Sequence, residues 1–370
     1  MFVKSNLIQT IRKLITFRRS CCRPLCVAML LIVSFSTVVA QGTSFREGLF
    51  RYSPMGRSLL ADMHPDFIRA DVASITNHSE WDWGQTGESM RLNTFGWLGF
   101  GLPVWSGNIS NEKNALSVTL STAASCWLDL FEPVTAPVVN ADWRIGLPTV
   151  TYLHRTGQKG LKNLQVSVSL FKHESTHVGD EIVLQHANHG FPIHRVNVSY
   201  NYSEYSITLN DPEEIYEPYH TLRLGVMLLW NFKKGWYFID STDGDASLAH
   251  PKTSPWEAYL QYQYQTRVSK HGIQGVAALE VRNRVLYGYP VFNWEDCNEY
   301  GYSSLNYETQ DEARIFTYNL FVGVRLCNPK YQGMFSRVSL GLRAYHGNNP
   351  HGQFRNHKSF NQIGACLVIE

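Results

Sequence analysis

Long stretches of this chain alternate between apolar and polar side chains with a period of two residues. Successive side chains of a β-strand point to opposite faces, so the pattern predicts strands with one apolar face. Less regular candidates lie at 68–76, 92–105, 116–128 and 138–153. The clearest apolar rows are Leu222, Leu224, Val226 and Leu228; Ala258, Leu260, Tyr262 and Tyr264; Ile273, Ala277, Leu279 and Val281; Phe316, Tyr318, Leu320, Val322, Val324 and Leu326; Val338, Leu340, Leu342 and Ala344; and Ile363, Ala365, Leu367 and Ile369.

The lengths of these segments and of their connections favour a membrane barrel over a soluble β-sandwich. The segments hold about 10–13 residues, longer than the ~5–6 usual in soluble strands and close to the ~9–11 that cross a bilayer. Read back from the C-terminus, long connections at 346–358, 288–312, 241–255 and 210–219 alternate with short ones at 328–333, 269–272 and 231–234. Outer-membrane barrels have long outer loops and short periplasmic turns. We therefore predict an all-β fold, a transmembrane antiparallel up-and-down β-barrel of roughly 12 strands at 66–370, with Trp230 and Trp236 flanking a periplasmic turn.

Residues 1–40 are typical of a cleaved export signal. A basic leader without acidic residues precedes an apolar stretch, and Val38 and Ala40 form a small-x-small cleavage site. The leader holds six of the 33 basic residues, so the mature chain has 27 against 31 acidic residues, a charge of −4. The formal positive excess therefore belongs to the leader and gives no reason to expect a nucleic-acid partner. We expect an outer-membrane protein with a lead-in segment at 41–65.

The cysteines and the search for known motifs indicate no particular catalytic or metal-binding site. Cys126, Cys297, Cys327 and Cys366 are far apart and show no metal-ligand spacing, which predicts scattered thiols. A single Cys297–Cys327 bridge is the alternative in an oxidising compartment. The sequence has no P-loop, dinucleotide fingerprint, HExxH or basic-aromatic patch, so we predict no cofactor and no nucleic-acid partner.

Residues 164–181, LQVSVSLFKHESTHVGDE, join a strand pattern to a cluster of reactive side chains. Leu164, Val166, Val168 and Leu170 share one face, which suits lipid. If the alternation continues, the odd positions from 165 onward face the lumen. On that interpretation His173, Ser175 and His177 are lumenal, with Asp180 and Glu181 just beyond.

Four landmarks carry a family resemblance: LLAD at 59–62, NADWRIGLP at 140–148, HESTHVGDE at 173–181 and GNNPHGQF at 347–354. Together they resemble an uncharacterised family of bacterial envelope proteins, the domain-of-unknown-function family twelve-zero-seven. Its hallmark is similar to His-x-Ser-x-His-x-Gly-Asp-Glu. The resemblance implies an envelope location and no particular activity. The residues that match the hallmark are His173, Ser175, His177, Gly179, Asp180 and Glu181.

One chemical hypothesis is a serine hydrolase. A serine hydroxyl needs a base to become nucleophilic, and His173 and Ser175 are two apart on one strand face. The pair is similar to outer-membrane phospholipase A and to the lipid A deacylases, which carry His-x-Ser on a barrel strand with the site facing lipid. Those enzymes follow the serine with Asn, whereas Thr176 stands here. The expected lumenal orientation argues against this hypothesis unless a β-bulge near Lys172 reverses it.

Two other interpretations remain. A metal site would combine His173 and His177 with Asp180 or Glu181, but the two histidines lie about 13 Å apart on a straight strand. A structural network would pair Asp180 and Glu181 with lumenal arginines. The leading prediction is a barrel with a polar lumen that serves envelope structure or passes a small solute, in contact with outer-membrane lipid. The lipid acyl hydrolase with Ser175 and His173 is the alternative. The arginines expected in the lumen are Arg195, Arg223, Arg282, Arg325, Arg337 and Arg343.

Overall fold

The computed structural model describes most of the predicted strands and part of the lead-in segment. Among the described residues, no helix is long and apolar enough to cross a membrane. The described residues are 45–51, 55–76, 91–109, 111–129, 138–158, 160–179, 194–210, 217–230, 236–240, 246–248, 250–251, 256–285, 287–288, 314–327, 337–351 and 360–370.

One short helix, α1, spans Phe45–Gly48. The strands are β1 (Ile68–Thr76), β2 (Arg91–Ile109), β3 (Asn111–Asp129), β4 (Val138–Gly146), β5 (Thr149–Arg155), β6 (Asn163–Val178), β7 (His194–Leu209), β8 (Tyr219–Trp230), β9 (Trp236–Asp240), β10 (Ala246–Leu248), β11 (His250–Pro251), β12 (Trp256–Gln265), β13 (Ile273–Val285), β14 (Tyr287–Gly288), β15 (Arg314–Cys327), β16 (Arg337–Gly347) and β17 (Phe360–Ile369).

The strands form a closed antiparallel barrel. The order around the wall is β1-β2-β3-β4/β5-β6-β7-β8-β12-β13-β15-β16-β17, and β17 pairs with β1 to close it. β4 and β5 form one interrupted wall strand, because both lie between β3 and β6. In the described part of the chain the wall therefore has 12 strands, which confirms the predicted fold.

The barrel presents apolar side chains outward and mostly polar ones inward. On β13, Gln274, Glu280 and Arg282 are at most 1% exposed. On β15 the outward row from Phe316 to Leu326 is exposed throughout, as expected for a lipid-facing surface. The predicted alternation is thus confirmed for the C-terminal half of the barrel, and Arg223, Arg282, Arg325, Arg337 and Arg343 are buried in the lumen. The side chain of Arg195 lies outside the described residues.

Connection lengths identify the two ends of the barrel. Connections at 77–90, 130–137, 179–193, 231–255, 286–313 and 348–359 share one end, while the opposite end has those at 110, 156–162, 210–218, 266–272 and 328–336. The end with the longer connections corresponds to the outer end of an outer-membrane barrel.

One part of the predicted alternation is wrong. The predicted turn at 231–234 lies outside the described residues, but β8 ends just before it at the long-loop end, and the predicted outer loop at 210–218 joins β7 to β8 at the short-loop end. β8 pairs with β12 through ten residues, which leaves no place for a strand between them. β9 instead pairs with the outer end of β7, beyond the last residue of β8. Trp230 therefore lies near the outer end of the wall.

Residues 55–67, which include the end of the predicted lead-in at 41–65, run through the lumen as a plug. Leu60 and Phe67 pack against Val276 and Phe321, and Met63 packs in a second inward cluster. Polar lumenal side chains bind the backbone of the plug: Gln263 Oε1 accepts from Leu60 N at 3.0 Å, and Asn319 Nδ2 donates to Ala61 O at 2.6 Å. Both polar and apolar wall residues thus hold the plug in place.

Candidate functional site

Strand β6 contains a β-bulge in its middle. Ser169 pairs with Glu204 of β7, but the next paired residue, Lys172, is opposite Tyr202. Three steps along β6 therefore match two along β7. The carbonyls of the bulge are bound: Ser203 Oγ donates to Leu170 O at 2.7 Å, and Leu147 N donates to Phe171 O at 2.9 Å.

The bulge reverses the orientation expected for the motif. Before it, Gln165 and Ser169 are buried in the lumen as predicted. After it, the even positions are inward, with Lys172 7%, Glu174 5% and Thr176 1% exposed. His173 and Ser175 are therefore on the outer, lipid-side face, and the prediction that they are lumenal is wrong. One extra residue shifts a pattern of period two by half a repeat, so each later side chain changes face.

The sequence contained a signal for this reversal. The even positions run Leu164, Val166, Val168 and Leu170 and then Lys172 and Glu174. A lipid-facing row that continued through Lys172 would place a charge against lipid, at up to about 2–4 kcal/mol in the membrane centre. Instead Lys172 Nζ is 2.7 Å from Glu204 Oε2 inside the barrel. A change from apolar to charged residues along every second position of a strand thus indicates a bulge.

The neighbouring wall strand is interrupted at the same level. β4 ends at Gly146, and β5 begins at Thr149. A Cβ at Gly146 would lie 2.5 Å from Phe171 O, so this close approach to the bulge requires glycine. The NADWRIGLP landmark therefore forms the other side of the distortion that turns His173 outward.

His173 is hydrogen-bonded to an amide on the next strand. Its Nδ1 is 2.7 Å from Oδ1 of Asn201, which is directly opposite on β7. An amide oxygen can only accept, so Nδ1 carries the proton and Nε2 keeps its lone pair. Ser175 is on the same face, two residues or about 6.6 Å further along β6. Sequence analysis missed Asn201, because residues 28 positions apart in sequence meet only through the strand register.

Large apolar and aromatic side chains flank this row on the outer face. Trp143 is opposite Ser175 on β4 and is 55% exposed, and Ile145, opposite His173, is 59% exposed. On the other side Trp230 pairs with Asn201 at the end of β8. Tryptophans concentrate at membrane–water interfaces, so the row lies at the level of the outer interface.

The other hallmark residues have different surroundings. His177 is exposed on the same outer face, beyond Ser175 toward the outer end. Gly179 follows β6, where a Cβ would lie 1.7 Å from Val138 O. Asp180 and Glu181, on which the metal and network interpretations depend, lie outside the described residues.

Some ion pairs inside the lumen join the wall to the plug, and others join one wall strand to another. Arg144 Nη2 is 3.0 Å from Asp66 Oδ1 of the plug, and Arg343 Nη1 is 2.6 Å from Asp71 Oδ2. Glu174 Oε2, between His173 and Ser175 in sequence, is 3.8 Å from Nε2 of the plug residue His64. A charged network is therefore present among the described residues, and the part predicted for Asp180 and Glu181 lies outside them.

The cysteines agree with the scattered-thiol prediction. Cys126, Cys327 and Cys366 are not in disulfide bonds, and the last two are buried in the lumen. Cys297, the partner in the alternative bridge, lies outside the described residues.

The orientation of β6 can be tested by spin labelling in a chain whose native cysteines are replaced. We expect labels at Ser175 and Val166 to be accessible to oxygen dissolved in the bilayer, because both positions face outward. A label at Ser169 is the matched control and should be shielded, because this position faces the lumen. Equal accessibility at Ser169 and Ser175 would contradict the bulge.

Comparisons with known proteins reveal likeness in fold alone. No protein-family model matches the chain, and no curated protein matches it significantly by sequence. Outer membrane phospholipase A from Escherichia coli aligns at 11% identity over 83% of this chain and 93% of its own, with a TM-score of 0.39. The translocator domain of the autotransporter NalP from Neisseria meningitidis aligns at 9% identity over 94% and 97%, with a TM-score of 0.39. The outer membrane protein OprD from Pseudomonas aeruginosa aligns at 6% identity over 87% and 97%, with a TM-score of 0.28. The fold assignment rests on the closed antiparallel barrel described above.

Proposed function

We propose that this protein is an outer-membrane lipid acyl hydrolase, with Ser175 as nucleophile, His173 as base and Asn201 as the residue that orients the base. The observation that carries the proposal is the 2.7 Å contact between His173 Nδ1 and Asn201 Oδ1 on the outer face that also bears Ser175. Membership of the envelope family of unknown function remains a separate prediction from the sequence.

The arrangement supplies the three parts that nucleophilic catalysis by serine needs. The bond to Asn201 fixes the imidazole with its proton on Nδ1, so Nε2 is the basic nitrogen. Ser175 is next to His173 along the same face. The chemistry therefore requires only a local rotation of the two side chains to bring Nε2 and the hydroxyl within hydrogen-bond distance.

The reaction balances as a two-step acyl transfer. Ser175 Oγ attacks the ester carbonyl while its proton passes to His173 Nε2. The carbon–oxygen bond of the ester then breaks, and the leaving alcohol takes that proton. Water attacks the acyl-serine in the second step and gives a proton to Nε2, which passes it to the departing Ser175 Oγ as the ester bond breaks. The products are a fatty acid, an alcohol and the free serine.

The surroundings favour a membrane lipid as substrate. The row is flanked by Trp143 and Trp230 at the level of the outer interface, and acyl esters of membrane lipids lie between the headgroups and the hydrocarbon. An amide as the orienting group suits this position, because an ionised carboxylate beside lipid would cost free energy on desolvation. Asn201 orients His173 without adding a charge.

The lumen offers little support for the passage of a small solute. Residues 55–67 occupy it, and three cavities that the described residues form beside this plug have volumes of about 90, 60 and 20 Å³. Cavities of that size hold a few water molecules. Polar residues of the lumen such as Gln263 and Asn319 instead bind the plug.

Covalent labelling tests the proposal directly. We expect a long-chain alkyl sulfonyl fluoride to modify Ser175 in the purified protein and to block release of fatty acid, because the activated hydroxyl displaces fluoride. Mass spectrometry of the β6 peptide identifies the labelled residue. The matched control is Ser169 on the same strand, which faces the lumen. Unlabelled Ser175 in a folded protein that also releases no fatty acid would contradict the proposal.

We also infer that the mature chain lies in the outer membrane after cleavage behind Ala40. The lipid-facing apolar surface supports the location, and the basic leader supports the cleavage. Fractionation of the producing cells should recover the protein with the outer membrane, with Gln41 as the first residue by N-terminal sequencing. A soluble periplasmic protein would contradict this inference.

A further inference from the structure

A groove crosses the outer face of the barrel far from the row of His173 and Ser175. Its volume is about 440 Å³, and it extends over β13, β15, β16, β17 and β1. Around the wall, five strands separate β16 from β6 in either direction. The groove is therefore on the opposite side of the barrel from the proposed hydrolase site and does not depend on it.

One end of the groove is apolar. Leu320 of β15 pairs with Ala344 of β16, and Ala344 pairs with Ile363 of β17. Leu320 and Ile363 are exposed on either side of Ala344. The small side chain of Ala344 lies between these larger ones, which gives the groove its depth.

The other end is polar and is nearer the outer loops. Tyr318, His346 and Asn361 form the next outward row, close to the outer end of β16 at Gly347. His346 Nδ1 is 2.6 Å from Asn361 Oδ1, and the rings of Tyr318 and His346 are stacked with centroids 6.2 Å apart. Because the amide oxygen accepts, His346 keeps the lone pair on Nε2, and Tyr318 adds a phenolic hydroxyl.

The change from apolar to polar follows the barrel axis, as it does in a lipid of the outer leaflet. An acyl chain matches the end at Leu320, Ala344 and Ile363, and ester or headgroup atoms match the end at His346 and Tyr318. None of the described residues that line the groove is a lysine or an arginine. A lipid with several phosphates would need such cations, so the lining favours a lipid with one phosphate and a neutral headgroup overall.

We propose that this groove is a binding site for one glycerophospholipid, with one acyl chain against Ala344 and the headgroup region against His346 and Tyr318. A lipid held here would be retained by the folded barrel, in contrast to lipids that only contact the apolar surface. It would also cover the polar row, which otherwise faces the membrane interface.

Native mass spectrometry of the full chain in detergent tests the site. The probe is 1-palmitoyl-2-oleoyl-phosphatidylethanolamine, added to delipidated protein, and all variants carry Ser175→Ala so that hydrolysis cannot remove the probe. We expect one tightly bound lipid. Ala344→Phe should weaken its binding at least 10-fold by filling the groove, and His346→Leu about 5-fold by removing a hydrogen bond.

Leu342→Phe is the matched control, since Leu342 faces lipid on the same strand and does not line the groove. It should bind the probe as the parent does. Three results would overturn the proposal: unchanged binding in folded Ala344→Phe and His346→Leu, an equal loss in Leu342→Phe, or displacement of the probe by an equimolar amount of lipid A.

Discussion

Ser175→Ala is expected to abolish the release of fatty acid from phospholipid or lipid A while the barrel folds normally. The substitution removes a half-buried hydroxyl from the lipid-side face and leaves the plug and the lumenal network intact. Loss of the nucleophile from a serine-histidine pair lowers kcat by about 10⁴-fold or more. The measurement is fatty-acid release by purified protein in mixed micelles. Heat-modifiable gel mobility provides the check that the barrel has folded.

Two substitutions separate a catalytic loss from a general one. Ser167→Ala is the matched control, because Ser167 is on the same strand and bonds Thr151 Oγ1 at 2.9 Å, away from the proposed row. It should keep full activity. Asn201→Ala removes only the amide that orients His173 and should lower kcat by about 10²-fold. This is near the lower end of the rate enhancement that a well-positioned general base provides. Undiminished release by folded Ser175→Ala would exclude Ser175 as the nucleophile.

The register of the regular strands could be predicted from the sequence. The candidate at 68–76 has the observed bounds of β1, and the rows of β12, β13, β15, β16 and β17 face as expected. In these strands the lipid face and the lumen face differ clearly in polarity, and a slip by one residue would place Gln or Arg against lipid. The pattern in such strands determines which side chains are buried.

The candidate site could be predicted only in part. His173 and Ser175 were recognised as a pair, but their face depends on one extra residue in β6, and Asn201 depends on the pairing with β7. The plug gave no periodic signal either. Its hydrogen bonds reach wall residues 203 and 258 positions away, so no local pattern contains them. Features that depend on contacts between distant residues can be recognised only once the structure of the closed barrel is known.

Glu280→Ala is expected to destabilise the barrel more than any substitution on its outer surface. Glu280 Oε1 is 3.0 Å from Arg282 Nε, and both side chains are 1% exposed. Without the carboxylate, the guanidinium of Arg282 loses its nearest ion-pair partner and stays buried beside Met227 Sδ, at 2.9 Å, and the ring of Tyr259. An uncompensated buried charge costs about 3–5 kcal/mol of unfolding free energy. Urea titration in detergent, followed by gel mobility, measures the change.

An exposed ion pair and a double substitution test the reason for that loss. Arg267 and Glu217 are 3.2 Å apart with side chains 73% and 40% exposed, so Glu217→Ala should cost less than about 1 kcal/mol. Glu280→Leu combined with Arg282→Met removes both charges and should recover most of the stability, because no buried ion is left alone. If the double variant is as unstable as Glu280→Ala, the barrel depends on the shape of these side chains, and the unpaired charge does not explain the loss.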